Sequence, residues 1–333
     1  MVTFYIASRA DLLMAFFMLL SYFLFSKYIK TRRIFLYVFS IGSFALSLLC
    51  REMAIILPAF LILELLRRGE KIRNRYKLFL PYVLILSLYS ILRVSVLNFS
   101  IGSNPLIDHS YTALVPLWQR ILTDFMVIVE YLKLLLFPYA LHMVRFTSPA
   151  SSIFELNVVF SIALVALFII AVKKLSRVSK LALFGAGWFF IGLLPVLNIY
   201  PVATFLHEGW LYVPSIGFFI ICAVFIKHIM REKIGVKLGI LLITPFLAYN
   251  FLTTIEYGKT WKDSVSMFNN VLKFEKVGPF RYHNHLNLAI AYFDKGDYEK
   301  SIEHYKHTIS LNPKHTDSYN NLGAAYMEVG RPV

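Results

Sequence analysis

Charge is scarce in this sequence. Charged residues make up 16% of the 333 residues, whereas a soluble domain carries about 25%. Hydrophobic residues reach 58%, and mean hydropathy is +0.64. Long apolar runs with so little charge exclude an ordinary soluble protein and indicate a polytopic membrane protein. The net charge is +15, but most Lys and Arg lie in short loops between apolar runs. There they determine topology, so nucleic-acid binding is not predicted.

Cysteine is almost absent, and short catalytic motifs are missing. Cys50 and Cys222 lie in apolar segments far apart in the sequence, and we expect small apolar residues there, not a disulfide. The sequence has no Walker A loop, no zinc-ligand spacing and no nucleophile elbow. We therefore predict neither a metal site nor a bound cofactor from motifs.

Apolar segments of helical length recur through the first 255 residues. They lack two-residue alternation, which predicts helices and not barrel strands. Several are shorter than the ~20 residues that span a bilayer, so tilt or local thinning must make up the difference. The segments are Leu12–Phe25, Ile34–Cys50, Met53–Leu66, Leu78–Leu97, Leu156–Val172, Leu181–Ile199, Leu211–Ile226 and Val236–Ile255. The predicted fold class is all-α, with about eight membrane spans.

Basic clusters predict the orientation of these spans. Clusters of Lys and Arg follow the first, third, fifth and seventh segments, and the positive-inside rule places all four in the cytoplasm. The stretch Trp118–Phe137 then cannot cross the bilayer once, and it carries four charged residues. We predict that it lies at the outer interface or dips in and back. Everything after Ile255 is predicted to be non-cytoplasmic.

The sequence changes character at about Glu256, which divides a membrane domain (1–255) from a repeat region (256–333). A 34-residue period begins there: Ala289, Tyr292 and Gly296 recur as Gly323, Tyr326 and Gly330. Small residues at helix crossings, large aromatics between them and a closing proline are typical of tetratricopeptide repeats. Such repeats need about three neighbours, so we expect the natural array to be longer. Five histidines fall in this region, and helix-surface positions are the default expectation for them.

Charged residues at the predicted outer ends of the segments form the candidate site. Arg9 and Asp11 begin the first segment, Arg51 and Glu52 form the turn between the second and third, and Arg93 lies near the end of the fourth. Each has a plain alternative: an interfacial pair with a helix cap, a simple turn, and a side chain that extends to the interface. Charges packed between spans instead indicate an inward-facing site, and an arginine fork suits a lipid phosphate.

A further candidate is the pair His207–Glu208, in an otherwise uncharged outer loop. A carboxylate there can orient a sugar hydroxyl or accept a proton. The rings of Trp210 and Tyr212 can stack on a sugar or anchor the next helix in the interfacial belt. The alternative is an exposed loop pair without a role.

Four stretches taken together resemble one family. They are YIASRADLL at the start, CREMAIILP after the second segment, YLKLLLFP at Tyr131–Pro138 and LLPVLNIYPVATFLHEGWLYVPSIGF at Leu193–Phe218. With the repeat region, they are similar to the transmembrane and tetratricopeptide repeat-containing (TMTC-type) proteins. Those are glycosyltransferases of the GT-C fold, and the resemblance extends over nearly the whole chain.

The resemblance implies transfer of a mannose-like sugar from a polyprenyl- or dolichyl-phosphate donor to Ser or Thr of an exported protein. The site would face the non-cytoplasmic side, and the repeats would hold the acceptor protein or a partner. By position, it implies catalytic roles for Asp11, Glu52 and Glu208. It implies substrate-binding roles for the remaining candidates, which are Arg9, Arg51, Arg93, His207 and Tyr212.

Two departures from the family pattern open alternatives. Gly209 stands where the family has an arginine. The family's first outer loop, with an acidic base, precedes the stretch matched by Tyr5–Leu13, so we expect the chain to be a fragment of a longer product or a member without that base. The alternative functions are a non-catalytic membrane anchor for a repeat scaffold and an O-antigen ligase or polymerase type of enzyme.

Overall fold

The computed structural model describes residues 9–96, 111–142, 145–202, 204–230, 233–274 and 281–331. These residues are helical and contain no strand; Arg145 and Leu206 form an isolated antiparallel bridge. The predicted all-α class is confirmed. The α-helices are α1 (Arg9–Thr31), α2 (Ile34–Cys50), α3 (Leu57–Arg67), α4 (Leu80–Ser95), α5 (Leu117–Leu136), α6 (Leu156–Ser176), α7 (Leu181–Leu193), α8 (Tyr212–Ile229), α9 (Lys233–Lys259), α10 (Ser264–Phe274), α11 (Arg281–Asp294), α12 (Tyr298–Leu311) and α13 (Thr316–Glu328).

Each predicted apolar segment overlaps one of these helices. Within the described residues, five helical stretches are long and apolar enough to cross a membrane: Arg9–Thr31, Tyr76–Ser95, Leu156–Ser176, Glu208–Ile229 and Gly235–Lys259. Helices α2 and α7 are apolar but shorter, and α3 has 11 residues. The chain is therefore a multi-pass α-helical membrane protein. Helix α5 is not among the candidate spans, and its place at the outer interface stays a prediction.

Two compact units make up the chain. One takes in the described residues up to Leu136 together with Pro149–Phe205 and Gly209–Phe246, and we call it the membrane unit. The other takes in Phe137–Ser148, Leu206–Glu208 and the residues from Leu247 onward, and we call it the tail unit. The boundary expected at Glu256 stays a prediction.

In the membrane unit, α1 and α2 are joined by small polar residues. Ser21 Oγ donates to the Ser40 carbonyl at 2.6 Å, and Ser40 Oγ donates to the Ser21 carbonyl at 2.7 Å. The Tyr82 hydroxyl lies 2.7 Å from Ser40 Oγ, which ties α4 to this contact. Between apolar helices in lipid, such hydrogen bonds and small side chains provide the association that the hydrophobic effect does not.

An aromatic cluster joins α1, α3 and α7. The Trp188 ring stacks on Phe60, with centroids 3.9 Å apart, and meets the edge of Tyr22 at 5.1 Å. Trp188 Nε1 donates to the Val213 carbonyl at 3.0 Å, so the buried indole is satisfied by the start of α8. This cluster fixes the first turn of α8, where Tyr212 lies.

Glycine lets α7 and α8 approach each other. A Cβ atom at Gly217 would overlap the Gly185 carbonyl oxygen and lie 2.5 Å from Phe189 N. Both partners are backbone atoms that cannot swing aside, so the helices must separate to admit a methyl group. Close approach through small residues is typical of helix pairs in membranes.

We expect Gly217→Ala to destabilise the membrane unit by about 1–3 kcal/mol, because overpacking displaces backbone. The melting temperature of the purified protein in detergent measures this. Gly42→Ala is the matched control, since Gly42 lies inside α2 with nothing within 4 Å of the added Cβ. Equal melting temperatures for the two variants would show that α7 and α8 are not held this closely.

The tail unit contains the repeat helices α11, α12 and α13. Ala289, Ile302, Tyr305 and Ala325 form their core, and Tyr326 packs against it. Two residues of the 34-residue period, Ala289 and Tyr326, thus meet in this core. Gly296 has φ +79° at the turn between α11 and α12, a conformation that favours glycine. The predicted tetratricopeptide fold is confirmed.

The default expectation for the histidines of this region is wrong at one position. His285 is 7% exposed and lies between α11 and α12. Its Nδ1 atom is 3.1 Å from His304 Nδ1, and its ring centroid is 5.2 Å from that of His307. The repeat therefore contains a small imidazole cluster in which His285 is buried, His304 is half-buried and His307 is exposed.

Candidate functional site

Asp11 and Arg51 form a two-pronged ion pair in the membrane unit. Asp11 lies in the first turn of α1, and Arg51 directly follows α2. Arg51 Nε donates to Asp11 Oδ1 at 2.6 Å, and a terminal nitrogen of Arg51 donates to Asp11 Oδ2 at 3.3 Å. The α1–α2 hairpin places the two residues at the same end, which explains how 40 residues of separation close into one contact.

A second ion pair continues the first. Arg93 in the last turn of α4 lies 3.3 Å from the Glu52 carboxylate, and it donates to the Tyr89 hydroxyl at 3.0 Å. Because Arg51 and Glu52 are consecutive, the two pairs form one row of alternating charge, which we call the charged row. Glu52 is exposed and Arg93 is half-buried, so the row lies at the protein surface.

Asp11 also lines a small cavity with Tyr212. The cavity has a volume of about 20 Å³ and includes the side chains of Met14, Met53 and Trp210. That is room for about one water molecule. The structure thus brings the beginning of α1, the α2–α3 turn and the first turn of α8 together beside the Asp11 carboxylate.

Glu208 forms a separate buried ion pair in the tail unit. Arg145 Nε donates to Glu208 Oε1 at 2.8 Å, and the His142 backbone N–H donates to the same oxygen at 3.2 Å. Both side chains are buried. Gly209 stands where the resemblance implies an arginine, and the guanidinium on Glu208 comes from 63 residues earlier in the chain.

The remaining predicted residues are placed more simply. Arg9 is exposed at the first residue of α1, and His207 is half-buried between the Leu206 bridge and Glu208. Cys50 and Cys222 are free thiols, as expected. Within the described ranges, no group of three His, Cys, Asp or Glu side chains is arranged to hold a metal ion.

Sequence reasoning missed a buried polar cluster at α5. The Asn198 backbone N–H donates to Asp124 Oδ1 at 3.2 Å, and Arg120 donates to the Asn198 carbonyl at 2.9 Å. Burial raises the pKa of Asp124 to about 6, although the hydrogen bonds from Asn198 oppose the shift. The sequence predicts that the whole helix lies at the outer interface or dips in and back, and it does not indicate that Asp124 is buried. An acidic residue four positions after an arginine on one helix face was the available signal.

It also missed Arg145 and the buried carboxylate of Glu64. Arg145 lies in the long loop between α5 and α6, where neither hydropathy nor spacing singles it out. Glu64 lies within an apolar segment that ends in two arginines. An acidic residue within such a segment is itself a signal.

The helices and the repeat define a class: a multi-pass α-helical membrane protein with a tetratricopeptide tail. A TPR repeat model matches residues 290–330. Protein O-mannosyl-transferase TMTC3 of Mus musculus is 24% identical over 167 residues, which is 50% of this chain and 18% of that protein. Protein O-mannosyl-transferase TMTC1 of Homo sapiens is 25% identical over 159 residues, or 46% of this chain and 17% of that protein. The predicted resemblance to TMTC-type proteins is confirmed by these matches.

A further match covers a shorter part of the chain. Photosystem I assembly protein Ycf3 of Prochlorococcus marinus (strain NATL2A) is 31% identical over 71 residues, which is 21% of this chain and 41% of that protein. No solved structure matches the chain. The chain spans less than a fifth of the length of the TMTC relatives it matches.

Proposed function

We propose that the chain acts as part of a membrane glycosyltransferase. The reaction moves a mannose-like sugar from a polyprenyl- or dolichyl-phosphate donor to Ser or Thr of exported proteins at the non-cytoplasmic face. The names of the TMTC relatives support sugar transfer in general. The apolar helices support a donor that stays in the bilayer.

The charged row carries this proposal. Its two carboxylates and two guanidiniums lie side by side at one end of α1, α2 and α4. A membrane-anchored scaffold does not require two paired carboxylates and guanidiniums at one end of its helices. Arginine forks match the geometry of a phosphate, so Arg51 and Arg93 are the residues that hold the donor phosphate.

The chemistry follows from those roles. The bond between sugar C1 and the phosphate oxygen breaks, and a bond between C1 and the acceptor hydroxyl oxygen forms. The hydroxyl proton passes to a carboxylate, for which Asp11 and Glu52 are the candidates. The lipid phosphate leaves with its negative charge, which Arg51 and Arg93 stabilise. The partial exposure of Arg51 and Glu52 leaves room for substrates to replace the present pairing.

The tail unit is proposed to lie on the non-cytoplasmic side of the membrane. Tetratricopeptide helices present a concave face that suits an extended polypeptide. The tail is therefore the part of the chain proposed to hold the acceptor protein or a partner. In this proposal Glu208 positions its loop, because it is buried and accepts from Arg145 and from the His142 backbone N–H at Oε1.

We expect Asp11→Asn to lower sugar transfer at least about tenfold, since an amide cannot accept the proton and leaves Arg51 without its charge partner. The assay uses membranes that contain the full chain, radiolabelled polyprenyl-phosphate mannose and a Ser/Thr-rich acceptor protein. Glu70→Gln is the matched control, since Glu70 pairs with Arg75 at the surface away from the charged row.

Retained transfer in Asp11→Asn would remove Asp11 from the mechanism. No transfer by the unaltered chain would overturn the proposal and favour the membrane-anchored scaffold. Label found on a glycan and not on protein would instead favour an enzyme of the O-antigen ligase or polymerase type.

A further inference from the structure

An open cavity of about 540 Å³ lies wholly within the tail unit. Its walls are the second half of α9, the end of α10 and the loop that follows α5. The volume falls within the range of small-ligand sites. No role proposed above for the charged row or the repeat helices uses this cavity, which we call the tail cavity.

The loop wall of the tail cavity is held rigid by side chains. The carbonyls of residues 138–141 all accept a hydrogen bond: Pro138 O from Tyr249 Oη at 3.1 Å, Tyr139 O and Ala140 O from Arg145 at 2.9 Å each, and Leu141 O from Asn270 Nδ2 at 2.8 Å. The buried Arg145–Glu208 pair thereby fixes the backbone of a cavity wall. Such a wall is preorganised, so a ligand does not have to order it on binding.

The lining offers polar groups of both kinds. Glu256 is an exposed acceptor and Lys273 an exposed donor, while Thr253 and Thr260 supply hydroxyl groups. Tyr257 is 6% exposed, so it contributes to the wall but offers no open polar atom to a ligand.

Aromatic faces complete the tail cavity. Tyr139 and Tyr249 line it and are 42% and 41% exposed. Phe274 also lines it and has the His142 ring stacked on it, with centroids 5.3 Å apart. Aromatic rings beside mixed donors and acceptors suit a ligand with apolar C–H faces and many hydroxyl groups.

We propose that the tail cavity binds a neutral glycosyl unit. One carboxylate and one amine balance each other, so neither a phosphorylated nor a cationic ligand is favoured. A lipid tail has no hydrogen-bonding groups, so it would leave the hydroxyl and amide groups of the cavity lining without partners. The inference goes beyond the proposed transfer reaction and does not depend on it, because binding to the tail cavity is measured without turnover.

The test measures sugar binding to the full chain in phosphatidylcholine nanodiscs, without glycosidic detergents that would compete. The probes are methyl α-mannoside and methyl α-glucoside, followed by saturation-transfer NMR. We expect Thr253→Val, which removes a hydroxyl group, and Glu256→Gln, which replaces a charged acceptor with a neutral amide, each to weaken binding about tenfold while keeping the side-chain shape. Glu328→Gln, an exposed carboxylate on α13, is the matched control and should bind like the unaltered chain.

Four outcomes would overturn the proposal: no saturable binding of either glycoside, equal binding by the control and the cavity variants, stronger binding of mannose 6-phosphate than of the neutral glycosides, or binding of a Ser/Thr-rich peptide in their place. Transfer activity is scored separately with the Asp11→Asn assay. A negative result in the sugar-binding test therefore does not affect the interpretation of the transfer assay, and the reverse also holds.

Discussion

Glu64→Ala is expected to destabilise the membrane unit by about 3 kcal/mol. Glu64 is fully buried in α3 and accepts hydrogen bonds from Arg67 Nε at 2.6 Å and Arg68 Nε at 2.6 Å. Tyr22 Oη donates to it at 2.8 Å and Ser26 Oγ at 2.9 Å, both from α1. Removing the carboxylate leaves two guanidiniums and two hydroxyls without their acceptor.

The size of the expected loss of stability depends on the charged groups that remain after Glu64 is removed. Breaking a buried ion pair costs about 3–5 kcal/mol because the surviving charge is uncompensated. The side chains of Arg67 and Arg68 are 32% and 25% exposed, so water reaches them and the loss falls at the lower end. Glu64→Gln keeps the shape and part of the hydrogen bonding, and we expect an intermediate loss.

Thermal unfolding of the detergent-solubilised protein measures the series. Glu70→Ala is the control, because Glu70 and Arg75 form a partly exposed surface pair of the kind that contributes little, whereas Glu64 is fully buried. The expected order of melting temperature is Glu70→Ala, then Glu64→Gln, then Glu64→Ala at the lowest. If Glu64→Ala melted with the control, the α1–α3 contact would not depend on this carboxylate.

The example of Glu64 shows what the sequence could and could not predict. Spacing alone places Glu64, Arg67 and Arg68 on one helix face, because residues three and four apart are neighbours. The contribution of Tyr22 and Ser26 depends on how α1 packs on α3, and hydropathy carries no information about that packing. The helices themselves follow from long apolar runs, and the repeat follows from its 34-residue period.

The candidate site also has parts that the sequence could predict and parts that it could not. The resemblance indicated Asp11, Arg51 and Glu52 singly, and the α1–α2 hairpin brings them into one row. Arg93 joins the row because α4 ends beside the α2–α3 turn. The partner of Glu208 could not be predicted, because Arg145 lies in a loop without periodicity and 63 residues away. Residue spacing cannot predict contacts that a loop makes with a residue far away in the sequence.

The imidazole cluster of the tail gives a prediction that depends on pH. The two Nδ1 atoms of His285 and His304 lie 3.1 Å apart, so one must donate and the other accept. Burial, with smaller contributions from His304, His307 and Arg281, lowers the pKa of His285 to about 4. Burial also lowers the pKa of His304, although Glu303 opposes the shift.

The direction of the pH effect on stability follows from the difference between the pKa of His285 in the folded chain and in the unfolded chain. His285 titrates near 6.5 in the unfolded chain and near 4 in the folded one, so the unfolded state binds the proton first as pH falls. The stability that the neutral imidazole provides is fully present above about pH 6.5 and is lost progressively down to about pH 4. The difference corresponds to about 3 kcal/mol at the acid end.

We therefore expect α11 and α12 to lose hydrogen-exchange protection between pH 7 and pH 5, after correction for the intrinsic exchange rate. The full chain in nanodiscs is the sample, and the amides of α1 and α2 serve as an internal reference. In His285→Leu the pH dependence should largely disappear, because no buried imidazole remains to be protonated. The control His228→Gln, at an exposed position of α8, should leave the pH dependence unchanged.

Protection that stayed constant from pH 7 to pH 5 in the unaltered chain would contradict a neutral, buried His285. A loss that persisted in His285→Leu would assign the acid sensitivity to another group. With the expected results, the repeat is most stable at neutral pH, where the buried His285 is uncharged.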